Sequence, residues 1–533
     1  MLHAEFPRLR KFAWYKNQII LGIILTSTYS TFVRTLSVTL FVAALPATGV
    51  FAADGPNLSS AEIQAAIHTR ATETMRVAAI EAKARQREWN AQAGPVAIVV
   101  GVLDASGPRF YKVGSSDLAT GTLADEHTIF EIASVTKLFT SLILADMVVK
   151  GEVAIDDPVQ KYVPDGVTVP VFGGRSITLA DLSMHRSGLP RDSADKKENY
   201  DRVARLGFST AQLYRAVSEA KLTRIPGKVE YSNLAVGLLG WALAERAGTD
   251  FPTLVSTRIF GPLGMADSGF GADTSLRARR AVGYGDELKP SPDVVSMPGY
   301  YPGGGVQSSA SDMLRFLAAM MAPKSSALEP AVLYMRKPFP DKSEALAWLR
   351  MFTKKGVIWQ HTGRNLGFSS FLGFNSNSGV GCVVLSNSQL VDVDDLGFKI
   401  IDRTYPLRQK LAPLEFVAAL EVDHYRQVEA AYRAFRHRKA DFFLDQGAVN
   451  LWGYDLLGQG RHREAVEVFK LNTTIFPKSA ITYDSLGEAY EKAGMPAHAI
   501  ASYRKVLERD NNATNALARL HALKADANGA AQP

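Results

Sequence analysis

The stretch Phe130-Glu131-Ile132-Ala133-Ser134-Val135-Thr136-Lys137 decides how this chain is read. Behind it run Leu138, Phe139, Leu142, Ile143, Met147 and Val148, apolar on nearly every face of a helix spanning Ser134–Lys150. A helix that is apolar all round sits inside a domain. Ser134 then stands at a helix N-terminus, where partial positive charge favours an alkoxide or oxyanion. Residues i and i+3 share a face, which brings Lys137 beside Ser134. Burial disfavours an ammonium, so Lys137 is a candidate base. The plain alternative is an N-cap with a solvated lysine one turn on. Three other S-x-x-K tetrads occur, Ser193/Lys196, Ser218/Lys221 and Ser502/Lys505. The first two fall in charged, loop-like or exposed segments and the third in helical repeats, so context singles out Ser134.

Two further elements bear on the same chemistry. Tyr231-Ser232-Asn233 follows Pro226-Gly227 and opens a helix to Arg246. A phenol there suits proton shuttling, and Asn233 suits a hydrogen bond to an acyl amide. Tyr15-Lys16-Asn17 shows the same pattern by chance. His361-Thr362-Gly363 ends a strand from Val357, and Arg364 leads into a glycine-bearing turn at Asn365-Leu366-Gly367. An edge strand there would pair with substrate backbone, and one of its N–H groups would complete an oxyanion hole with that of Ser134. Taken singly, His361 is more often an ordinary polar strand end.

In order, S-x-x-K, Y-x-N and H-x-G resemble the class C β-lactamase and D,D-peptidase family of penicillin-recognising serine hydrolases. The likeness extends to Leu182-Ser183-Met184-His185-Arg186-Ser187-Gly188-Leu189-Pro190, to Gly303-Gly304-Gly305 and to Gly367-Phe368-Ser369-Ser370. The resemblance implies that Ser134 is acylated, that Lys137 and Tyr231 form the base network, and that the N–H groups of Ser134 and Arg364 form the oxyanion hole. It also implies substrate contacts from Asn233, His361, Thr362, Gly363 and Arg364, with no cofactor and no metal. One departure matters. True class C β-lactamases usually carry lysine where His361 stands, and histidine is only partly charged near neutrality. Arg364 is the candidate for restoring a cation there.

The sequence flanking these motifs predicts an α+β domain over residues 57–405. Strands are expected at Val96–Leu103, Phe110–Val113, Val357–Thr362, Ser369–Phe374 and Val380–Ser386. Helices flank this antiparallel sheet, from a lead-in at Ser59–Ala91 to one beginning at Ser308 after the triple-glycine turn. Loops and short helices fill residues 156–230.

Beyond residue 412 the pattern is helical only. Gly453 matches Gly487, Gly460 matches Gly494, Ala465 matches Ala499 and Phe469 matches Tyr503, each 34 residues apart. Small residues admit a close helix pair and large ones fill the layer between, as in tetratricopeptide repeats. Two units, 446–479 and 480–513, and a capping helix after Asn515 make up a domain over 412–533. It either packs on the catalytic domain or recruits a protein partner.

The formal net charge is +7, of which +4 lies in residues 1–52, where Arg8, Arg10, Lys11, Lys16 and Arg34 face Glu5 alone. The remaining +3 is too mild for nucleic acid. Residues 1–52 read as an export signal, cleaved before Ala53, or as an uncleaved membrane anchor. Apolar runs at Ile19–Leu25 and Leu36–Leu45 each follow basic residues. The destination is the periplasm or cell envelope. The single cysteine, Cys382, lies in an apolar strand and reads as a core residue.

The function expected is hydrolysis of esters or small D-amino-acid peptides and amides through an acyl-enzyme. The alternatives are a β-lactamase or D,D-carboxypeptidase, and a catalytically idle scaffold working through its repeats.

Overall fold

The structure is a computed structural model describing residues 57–84, 94–193, 207–222, 226–271, 273–285, 288–291, 297–337, 345–405, 407, 414–438, 444–510 and 513–529. The export or anchor segment, the end of the lead-in helix and Lys196 lie outside the described residues. Among the described residues no helix is long and apolar enough to cross a membrane.

The six-stranded sheet comprises β1 (Ile98–Asp104), β2 (Gly107–Val113), β3 (Leu349–Thr353), β4 (Gly356–Asn365), β5 (Phe368–Asn375) and β6 (Val380–Ser386). Its order is β2-β1-β6-β5-β4-β3, antiparallel throughout. Alternation along the strands divides the side chains between two cores. Ile98, Val100, Phe371, Cys382 and Val384 face α1 (Ser60–Ala84) and α6 (Val393–Ile401). Val99, Leu372, Phe374, Val383 and Leu385 face the core holding α2 (Thr136–Val149) and α4 (Ala310–Met321). Covered on both faces, β6 is buried from end to end, and this explains its unbroken apolar run.

Helix α2 is buried from Thr136 to Met147. It starts two residues later than its periodicity suggests, because Ala133–Val135 forms a single 3-10 turn with Ala133 at φ +45°. Helix α3 (Asn233–Ala247) begins where expected: Ser232 Oγ accepts the N–H of Ala235 at 3.0 Å, and Gly248 closes the far end at φ +67°. The triple glycine behaves differently from expectation. Tyr301–Gly304 is a helical turn, Val306–Ser308 is a strand, and α4 starts only at Ala310, capped by Ser309. That strand pairs with Phe130–Glu131 and Gly269–Phe270, tying the glycine turn to the segment before Ser134.

The C-terminal region is all helical and keeps its own core around Phe416, Trp452, Phe469 and Tyr503. Following α5 (Glu329–Arg336) and α6, it contains α7 (Leu414–Val422), α8 (Val428–Arg438), α9 (Gln446–Gly458), α10 (His462–Ile475), α11 (Ala480–Lys492), α12 (Pro496–Leu507) and α13 (Thr514–Gly529). The 34-residue correspondence has a direct physical counterpart. A Cβ on Gly453 would lie 2.4 Å from the Phe469 ring, and one on Gly487 would lie 2.7 Å from the Tyr503 ring. Each glycine admits the ring of its partner helix. Helix α9 also packs against α1 of the catalytic region.

Candidate active site

Ser134 sits on the 3-10 turn that feeds α2, and the turn is held from several sides. Ser370 Oγ donates to the Ile132 carbonyl at 2.7 Å, and the Val306 N–H donates to Thr136 Oγ1 at 3.1 Å. Strand β4 presses on the same turn. A Cβ on Gly363 would meet the Ile132 carbonyl at 2.3 Å and the Ser134 nitrogen at 3.0 Å. Only a glycine fits there.

Lys137, fully buried, donates to three acceptors: Ser134 Oγ at 3.0 Å, Asn233 Oδ1 at 2.9 Å and the Gly303 carbonyl at 2.6 Å. Three acceptors match the three hydrogens of an ammonium. Tyr231 donates to Ser134 Oγ at 2.7 Å, and its ring centroid lies 4.9 Å from Lys137 Nζ. Asn233 Nδ2 donates to Asp192 Oδ1 at 3.0 Å, so the amide is held between a cation and a carboxylate. Ser134, Lys137, Tyr231 and Asn233 therefore converge from two helix starts.

His361 reaches the same core but not as a charge. It is 2% exposed, and its Nδ1 lies 2.8 Å from the Thr362 carbonyl. A carbonyl only accepts, so Nδ1 bears the hydrogen. Burial, reinforced by the charge of Lys137, pushes its pKa down to about 4. The imidazole is neutral near pH 7, not partly protonated.

Residues Thr362 and Arg364 alternate to the opposite sheet face from His361 and Gly363. The guanidinium of Arg364 is directed to the Val391 carbonyl, 3.5 Å away. Its side chain supplies no cation on the Ser134 side, which corrects the expectation from sequence. The strand is also only half an edge. β3 covers Gly356–Gln360, while His361–Asn365 runs beyond its end.

Sequence reasoning did not assign roles to His185, Arg191 or Asp192. His185, at φ +57°, packs its ring against that of Tyr231, with centroids 4.3 Å apart and the planes tilted by 33°, and accepts the Ser232 N–H at Nδ1 (3.2 Å). Burial, then the charge of Lys137, pushes its pKa down to about 3. Its carbonyl accepts the Glu230 N–H, and that of Arg191 accepts the Asn233 N–H, both at 2.7 Å. The loop after Leu182 thus scaffolds Tyr231 and Asn233, and the motif His185-Arg186-Ser187-Gly188 was its signal. Of the other tetrads, Ser193 lies in a charged loop, as expected, with its side chain buried, Ser218 is exposed at a helix end, and Ser502 is buried in a C-terminal helix. The Cys382 thiol is buried in β6, and burial pushes its pKa far up.

Fold and paired motifs define a nucleophilic-serine hydrolase. Comparison with known proteins specifies it further. A family model described as Beta-lactamase matches residues 80–401. The chain is 30% identical over 329 residues to the D-alanyl-D-alanine-carboxypeptidase/endopeptidase AmpH of Escherichia coli (strain K12), covering 58% of this chain and 84% of that protein. It is 27% identical over 230 residues to a Beta-lactamase of the same organism, covering 42% and 56% respectively. Esterase EstB of Burkholderia gladioli is 29% identical over 239 residues, covering 39% and 61%. The chain belongs to the beta-lactamase family and is a serine hydrolase of that family.

Proposed function

We propose that this hydrolase works through an acyl-enzyme on Ser134 and takes esters or small D-amino-acid peptides and amides as substrates. The observation that carries the reading is the convergence of Lys137 Nζ and Tyr231 OH on one oxygen, Ser134 Oγ, at 3.0 and 2.7 Å. The seryl proton leaves when one of these two partners has given up its own, so the pair acts as a shared base. Attack on the substrate carbonyl forms the acyl ester, and the leaving group departs with a proton returned through Tyr231. Water then hydrolyses the ester by the same route in reverse. The N–H groups of Ser134 and Arg364 cradle the oxyanion. Asn233 contacts the acyl chain from the helical wall, while His361, Gly363 and the backbone of Thr362 line the substrate on the sheet wall.

The relatives named as an esterase and as a D-alanyl-D-alanine carboxypeptidase support this substrate range, and the uncharged His361 favours neutral groups beside it. We further read residues 1–52 as an export signal or anchor taking the protein to the periplasm or envelope, and 446–513 as two tetratricopeptide-like units within a 412–533 domain. The test of substrate class is a panel of nitrophenyl esters, D-amino-acid amides, D-alanyl-D-alanine peptides and β-lactams on purified protein. Turnover of esters or D-residue substrates with slow β-lactam hydrolysis fits the proposal. A specificity constant highest for β-lactams contradicts it.

A further inference from the structure

Arg191 stands beside the reacting centre without an assigned role. Its carbonyl accepts the first N–H of α3, at Asn233, and the next residue, Asp192, holds the Asn233 side chain. The backbone of Arg191 is therefore fixed to the same helix start that carries the acyl-side amide. Its guanidinium carbon lies 5.0 Å from the centroid of the Tyr231 ring, whose hydroxyl touches Ser134 Oγ. A cation over a phenol ring is held there by the ring quadrupole. The side chain remains 67% exposed.

The charges around it narrow what Arg191 can do. Lys137 is fully buried and engaged by three acceptors. On the sheet wall, His361 is buried against the Thr362 carbonyl and the Arg364 guanidinium lies on the far face. The ion pair with Asp192 runs through Arg191 Nε at 3.7 Å, too long for a hydrogen bond. It does not engage the two terminal nitrogens that bind carboxylates in bidentate fashion. Arg191 is thus a solvent-accessible cation placed on the Asn233 side of Ser134.

We infer that Arg191 reads a carboxylate on the acyl part of the substrate, so that the enzyme prefers acyl groups ending in an anion over neutral ones of equal length. The inference rests on Ser134 as nucleophile and names the substrate class of that same site. It concerns the acyl side, at the helical wall; His361 faces the site from the sheet wall.

The experiment compares p-nitrophenyl hexanoate with mono-p-nitrophenyl adipate, acyl chains of equal length differing in a terminal carboxylate. The measured quantity is the ratio of kcat/KM, adipate over hexanoate, in wild type, Arg191→Gln and Arg191→Glu. The ratio should fall by about 10-fold or more in Arg191→Gln, the size of one charge-assisted contact. It should fall further in Arg191→Glu, mainly through KM. High salt should lower the wild-type ratio, because the contact is partly exposed. Ratios within about twofold of wild type in both variants, with turnover still lost in Ser134→Ala, overturn the role of Arg191 and leave the hydrolase reading standing. A wild-type protein inactive on both esters overturns the hydrolase reading and this inference with it.

Discussion

The hydroxyl of Tyr231 lies 2.7 Å from Ser134 Oγ, nearer than Lys137 Nζ at 3.0 Å, although 97 residues separate tyrosine and serine in sequence. Both groups donate to Ser134 Oγ, so in the proposed mechanism the pair accepts the seryl proton only after one of them has lost its own, and the phenol oxygen is one of the two proton carriers. Tyr231→Phe keeps the ring packed against His185 and removes only the oxygen. It should lower kcat on a nitrophenyl ester by about 10²–10⁴-fold with little change in KM. An unchanged kcat would remove Tyr231 from the base pair.

Gly363 is the point where β4 touches the turn that carries Ser134. An added methyl would lie 2.3 Å from the Ile132 carbonyl and 2.5 Å from Ser370 Oγ, so strand and turn must part. Gly363→Ala should cost about 10²-fold in kcat/KM, the usual result of an ångström of misplacement. Steady-state kinetics check this, and circular dichroism should show an intact fold. A fully active alanine variant would mean that the turn relaxes without consequence.

Much of this arrangement was legible in the sequence because it is local. The serine–lysine pair follows from i, i+3 spacing, and β4 to β6 follow from apolar runs broken by Asn375–Gly379. The side on which Arg364 falls was also encoded, since period-two alternation sends it opposite His361 and Gly363. What no spacing reveals is pairing across the chain. His185 meets Tyr231 and Ser232, 46 and 47 residues away, only because two loops fold together. The 3-10 turn at Ala133 is likewise imposed from outside, by β4 and the strand Val306–Ser308.

The buried histidines predict acid sensitivity. His361 and His185 have pKa values pushed down to about 4 and about 3 in the folded state, while the unfolded chain takes up protons near the ordinary 6.5. Below pH 6.5 the unfolded state binds more protons, so stability falls as pH falls. Each histidine contributes a slope approaching about 1.4 kcal/mol per pH unit until its folded form titrates. Denaturant melts from pH 7 to pH 4 should show this loss, and His361→Gln should make it shallower. The same slope in wild type and variant would contradict a neutral buried His361.

In the C-terminal helices the two glycine–aromatic contacts give matched predictions. Gly453→Ala and Gly487→Ala each drive a methyl into a ring, Phe469 or Tyr503. Each should destabilise that region by about 1–3 kcal/mol, as overpacking does. Thermal melts followed by helical circular dichroism test it. Two variants as stable as wild type would show that the helices do not depend on this close approach.

The central claim is that Ser134 is the residue acylated during turnover. The direct measurement is mass spectrometry of the purified protein after reaction with a fluorophosphonate probe. The account predicts a single adduct on the peptide containing Ser134, with label and ester turnover both lost in Ser134→Ala. An adduct on Ser193, Ser218 or Ser502, or full turnover by Ser134→Ala, would contradict it.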